Sequence, residues 1–202
     1  MMLALGAGLA GCTYQAQVLE TPSFNVVSSY GEQIPGKWFL YVDATPLKRP
    51  IKPSTYACSL HSYPIDAAGP FATSVRQTLD NVVDQLEVLS LPISASSLKA
   101  RGARGLIVVR GEEVRARMES KAGFWSATME GQATVIASIT VDGPQGRLLG
   151  TTVEGIGNAT EDAGVACEGG AKALGEAVSQ GMGDTMRRLG EAVSNSPRVR
   201  GS

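Results

Sequence analysis

The chain holds three cysteines, Cys12, Cys58 and Cys167, and a single histidine, His61. Such residues serve as thiolate nucleophiles, zinc ligands, disulfide partners or acylation sites. A structural zinc needs four ligands, and His61 follows Cys58 by three positions with no CxxC and no second histidine to complete a set. A Ser–His–Asp hydrolase would have to use His61, yet no GxSxG occurs, and Asp66 stands too close in sequence to specify a triad. The glycine-rich segments Gly102-Ala103-Arg104-Gly105 and Gly155-Ile156-Gly157 lack the lysine of a phosphate loop and read as turns. The carboxylate pairs Glu112-Glu113 and Glu161-Asp162 read as solvated charge on a strand and in a loop. These residues point away from catalysis, and no metal is expected.

The first cysteine stands at a boundary. Residues 1–12, MMLALGAGLAGC, are apolar or small and uncharged, and the polar Thr13-Tyr14-Gln15 follows at once. The run is shorter than the roughly 20 residues that cross a bilayer, and it has the form of the apolar region and small-residue cleavage site of a secretory leader. Leu9-Ala10-Gly11-Cys12 resembles the lipobox of bacterial lipoproteins. That resemblance implies a signal peptide over 1–11, acylation of Cys12 as the first mature residue, and covalent lipid as the only group carried. The usual basic n-region is missing, with no Lys or Arg before Lys37, which points to a start further upstream. Thr13 replaces the aspartate associated with inner-membrane retention in enteric bacteria. The resemblance therefore implies the periplasmic face of the outer membrane.

With Cys12 assigned to lipid, Cys58 and Cys167 remain as an even pair in a compartment that permits disulfides. A bond between them would staple the first half of the chain to the last helix, contributing roughly 3–5 kcal/mol; the alternative is two buried thiols. A formal net charge of −1 with both signs scattered leaves no basic patch for nucleic acid. Twenty-four glycines against 5% aromatics favour close backbone packing over a ring-lined pocket.

Residues 12–36 are polar, with Pro22, Pro35 and several serines, and read as a tether. A single domain is expected over 37–194, with a frayed tail at 195–202. Lys37–Asp43 has strand composition, the proline-rich TPLKRPIKP after it reads as loop, and a short strand is expected over Tyr56–Ser62. From Pro70, the residues Phe71, Val75, Leu79, Val82, Val83 and Leu86 recur at helical spacing. Gly105–Glu119, Gly131–Asp142 and Arg147–Glu154 form a meander. Phe124 and Trp125, between its first two strands, either contact a partner or the membrane, or plug the core. The stripe Cys167, Ala171, Leu174, Val178, Met182, Met186, Leu189 and Val193 marks a second helix. Its many glycines, Gly175, Gly183 and Gly190 among them, each cost roughly 1 kcal/mol against alanine, which implies close packing or contact with another copy.

The expected fold is α+β, a mainly antiparallel sheet of about five strands with two amphipathic helices on one face. Lipobox, tether, helix, a meander ending in the DxxGxLL-like stretch Asp142–Leu149, and a final helix with an alanine-rich start together resemble small envelope lipoproteins. The YajG-like, LptE-like and PqiC-like ABC-transport auxiliary groups share this outline. The resemblance implies an assembly or interaction subunit with envelope protein partners, a homo-oligomer of the chain among the arrangements it allows. The other expectation is an auxiliary subunit that binds lipid or a small apolar ligand.

Overall fold

A computed structural model describes residues 13–52, 58–123 and 126–201. Its main sheet has five strands in the order β4-β1-β5-β6-β7, where β1 is Ile34–Asp43, β4 is Val83–Val88, β5 is Gly105–Ala122, β6 is Ala127–Gly143 and β7 is Gly146–Asp162. Strand β1 pairs in parallel with both β4 and the first part of β5, while β5, β6 and β7 are antiparallel. The fold is α+β with a mixed sheet. Parallel neighbours require crossover connections. Helix α1 (Ala68–Asp80) lies between β1 and β4 in the chain, and α2 (Ala95–Ala100), capped by the Ser94 hydroxyl, leads from β4 to β5.

Strand composition follows from this cover. In β1, Trp38, Phe39 and Leu40 are all buried: Trp38 and Leu40 face the main core, and Phe39 faces a smaller cluster with Leu98, Ala103 and Leu106. A strand covered on both sides reads as a continuous apolar run. The same holds for the LIVV start of β5. Beyond Arg110, β5 changes to alternation, because there α3 (Gly169–Ser194) covers one face only.

Several expectations are corrected. Helix α1 ends at Asp80 instead of running to Leu86, and Val83–Val88 forms edge strand β4, where Val82 accepts a hydrogen bond from Ile34 N–H at 2.9 Å. The proline-rich loop contains strand β2 (Lys48–Ile51), paired with β3 (Tyr63–Asp66), so the short strand falls after Ser62. Pro50 stands opposite Pro64, and neither residue needs a ladder N–H there. Gly155 and Gly157 lie within β7. A Cβ on Gly155 would come 2.1 Å from the Gly181 carbonyl oxygen, and one on Gly157 2.0 Å from that of Ala177. Glycine lets the helix backbone lie directly on the strand. Gly102 is a turn residue as expected, following α2 with φ +62°.

The largest departure is residues 13–33. Expected as a tether, they form a strap laid along the groove between α1 and α3. Leu19, Thr21 and Ser23 donate alternate backbone N–H groups to the hydroxyls of Ser179, Ser74 and Thr78, each at 2.9 Å. Ser179 and Ser74 donate their own protons back to the carbonyls of Gly175 and Pro70, so each hydroxyl is used twice. The expected frayed tail is also ordered. Asn195 accepts from Ser29 N–H at 2.7 Å and donates to the Val27 carbonyl at 2.8 Å. Val199 is buried in the short helix α4 (Pro197–Gly201). The Arg200 guanidinium donates to the Glu32 carbonyl and lies 4.1 Å from the Tyr30 ring centre.

Cys58 and Cys167 form a disulfide with Cα atoms 6.0 Å apart across 109 residues of sequence. It links the loop before β3 to the residues leading into α3.

Two tests follow. A Cβ at Gly175 would stand 2.2 Å from the Gln17 carbonyl oxygen, whereas one at Gly183 meets nothing nearer than Thr21 Cβ at 3.6 Å. In urea titration Gly175→Ala should therefore lose about 1–3 kcal/mol by displacing the strap, while Gly183→Ala should be neutral or gain up to about 1 kcal/mol from helix propensity. Equal effects would exclude the strap as the cause. Replacing Cys58 and Cys167 together by serine should cost about 2–5 kcal/mol, and nonreducing peptide mapping of the wild type should recover the linked pair.

Candidate functional site

The residues with chemical potential gather at the end of the sheet where β5 stops, β6 starts and β7 ends. The strap begins there. Tyr14 N–H donates to the Ser62 carbonyl at 2.9 Å, and Ala16 N–H to that of Pro64 at 3.0 Å, as Thr13 and Ala16 bridge in parallel to Ser62 and Ile65. The Tyr14 ring lies 5.5 Å from His61 and stacks at 5.9 Å on Tyr63. Tyr63 is fully buried and donates its hydroxyl proton to the Cys167 carbonyl at 2.7 Å. Burial, with a smaller contribution from the Tyr14 phenol, pushes its pKa up to about 12. The phenol therefore acts as a fixed donor that holds the residue before α3, whose φ of 61° is otherwise unfavourable for a side chain.

His61 Nδ1 is buried and has no hydrogen-bond partner among the described residues. Its sequence neighbour Cys58 is committed to the disulfide and packs against Met129, so no thiolate stands ready beside the imidazole. The carboxylate pairs occupy separate places. Glu113 takes ion pairs from Arg49 at 3.2 Å and Arg115 at 2.8 Å, and Glu112 accepts from the Ser138 hydroxyl. Glu161 pairs with Lys172 at 2.8 Å, and Asp162 accepts the Gly164 N–H at 3.0 Å. No group of three or more His, Cys, Asp or Glu able to hold a metal occurs among the described residues.

Among the concave surfaces of the described residues, two carry side chains suited to a ligand or a partner. The larger, about 600 Å³, runs between the outer side of the strap and α3, with Gln17 and Leu19 on one wall and Lys172, Glu176 and Gln180 on the other. Leu19 is largely exposed there. The second, about 350 Å³, lies on the sheet face away from α3, where Arg115, Arg117, Gln132, Thr134, Ile156 and Asn158 form a shallow polar surface. Neither was evident from the sequence. The first depends on the strap, and the second on three strands carrying polar residues in register.

The three glycines singled out in the last helix face the strap. Gly175 stands against Gln17, Gly183 near Thr21, and Gly190 against Val26. Of the two alternatives, helix packing or contact with another copy, the strap supplies packing within the chain at Gly175 and Gly190, while Gly183 has ordinary clearance. Cys58 and Cys167 are brought together. Cys12, Phe124 and Trp125 lie outside the described residues. No helix among the described residues is long and apolar enough to cross a membrane.

No family model matches the chain, and no curated protein matches it in sequence. Solved structures with a similar outline include a DUF330 protein from Xanthomonas campestris, 12% identical with a TM-score of 0.46 over 94% of this chain and 96% of that one. A hypothetical protein from Chlamydia trachomatis is 8% identical, with a TM-score of 0.40 over 78% and 97%. A PelC dodecamer from Paraburkholderia phytofirmans is 15% identical, with a TM-score of 0.30 over 79% and 96%. At these values the likeness is one of chain outline alone, and no role passes from them to this protein.

Proposed function

We propose that this protein is a lipid-anchored envelope lipoprotein, acylated at Cys12 and facing the periplasm from the outer membrane, that acts as a non-catalytic binding subunit of an envelope complex. The observation that carries this reading is the Cys58–Cys167 disulfide. Such bonds persist in oxidising compartments such as the periplasm, where a lipobox would deliver the chain. The rigid attachment of the first described residues to β3 supports it further, because a domain fixed beside its anchor presents its remaining surfaces in one orientation. The open polar face of β5–β7 is the surface we assign to protein partners, and a second copy of the chain is one of them. Phe124 and Trp125, between β5 and β6 in the sequence, are further candidates for partner or membrane contact.

A second reading has an observation of its own. The groove of about 600 Å³ beside the strap, with Leu19 exposed in its wall, suits a small apolar ligand or lipid chain, as an auxiliary subunit of a transport system would require.

Metabolic labelling with a palmitate analogue should mark the wild type and leave Cys12→Ala unlabelled; an unlabelled wild type, or a label that survives the substitution, refutes the anchor. Native mass measurement on protein extracted from membranes separates the two readings. Stoichiometric assemblies support the binding subunit, and a monomer with co-purifying lipid supports the groove.

A further inference from the structure

The place at which Cys12 joins the described residues restricts how the domain can sit. Thr13, the residue after Cys12, is already bridged to Ser62, and Tyr14 is held by the Ser62 carbonyl and by ring contacts with His61 and Tyr63. Consecutive Cα atoms are about 3.8 Å apart, so an acyl group on Cys12 would have no spacer between it and the folded domain. The surface around that exit is apolar at its tips. Leu60, two residues before Ser62, is 72% exposed, and Val165, two residues before Cys167, is 102% exposed. The disulfide joins the loops that carry them, so each of these side chains lies two residues from the same bridge. Exposed aliphatic side chains at such a position lose nothing by entering an acyl boundary and are costly to leave in water.

We propose that this disulfide-linked end, with Leu60 and Val165 on its loops, rests directly on the phospholipid surface that holds Cys12, so that the β6–β7 turn is the end of the sheet that stands away from the membrane. The inference depends on the lipoprotein reading above. Charge of both signs flanks the tip: Lys121 pairs with Glu130 and Lys172 with Glu161, and the exposed Lys52, which follows the Ile51 partner of Tyr63, is set against Asp162 and Glu168. Apolar insertion carries the contact, and the surface it fits is zwitterionic phospholipid with little dependence on salt. The opposite end of the sheet is the β6–β7 turn at Pro144-Gln145. Sixteen strand steps at about 3.4 Å place it roughly 50 Å away.

The test uses the full-length lipidated protein in vesicles of phosphatidylcholine and phosphatidylethanolamine carrying bromine on the acyl chains. The only tryptophans are Trp38, which is buried, and Trp125, so the background is Trp125→Phe. Single indoles are introduced by Leu60→Trp, Val165→Trp and, as the far-end control, Gln145→Trp, all at exposed positions. The expected result is at least twofold stronger quenching for Leu60→Trp and Val165→Trp than for Gln145→Trp, unchanged between low and high salt. Equal quenching at all three sites, or none at Leu60→Trp and Val165→Trp in protein that floats with the vesicles, overturns the orientation and leaves the anchor standing. Wild-type protein that carries no lipid and fails to float overturns the anchor instead. Peptide mapping of the disulfide in each variant shows that its fold is retained.

Discussion

The close approach of α3 to its neighbours is the constraint on which the rest of the structure depends. On one side the helix backbone rests on β7 at Gly155 and Gly157 and on β6 at Gly131, where a Cβ would stand 2.8 Å from the Ala173 carbonyl oxygen. On the other side Gly175 and Ser179 admit the strap to within hydrogen-bonding reach. A helix with this many glycines is a weak helix by propensity, and tertiary contact on two sides must stabilise it. Small residues on both sides turn one long helix into the common wall of the sheet core and the strap groove. The N-terminal segment, the sheet and the disulfide loop therefore share a single packed unit.

The fold was legible in the sequence where burial imposes a period. The apolar stripe from Leu174 to Val193 is the buried side of α3, and the alternation in Gly131–Asp142 marks the half-covered strand β6. The boundary between α1 and β4 was not legible, because Val82, Val83 and Leu86 happen to continue the helical spacing of Phe71, Val75 and Leu79. The alternative, a parallel pairing with β1, leaves no local mark. The length of β7 was hidden by its glycines, which outside structure signal turns and here signal a helix lying on top.

The strap was the least legible element, for a physical reason. Much of its attachment runs through backbone N–H groups and the hydroxyls of Ser74, Thr78 and Ser179, and the apolar side chains it turns inward, Tyr14, Ala16, Val18 and Val26, are too few and too spread among polar residues to stand out as a strand. Leu19, Phe24 and Val27 even point apolar surface outward. By polarity and proline content alone such a segment cannot be told from a linker. The candidate site divides the same way. Cys58 and Cys167 were identifiable by counting cysteines, whereas the Tyr14–His61–Tyr63 stack depends on a segment whose docking was invisible, and the polar face of β5–β7 on strand register.

The strap also ties the order of chain emergence to the order of assembly. Residues 13–33 leave a synthesising or translocating machine first, yet the hydroxyl that receives Leu19 belongs to Ser179, 160 positions later. Until α3 has followed, the groove has only one wall, and Leu19 has no Ser179 hydroxyl to receive its N–H. Arrival of the C-terminal helix supplies the second wall, so the first described residues take their places only when nearly the whole chain is present.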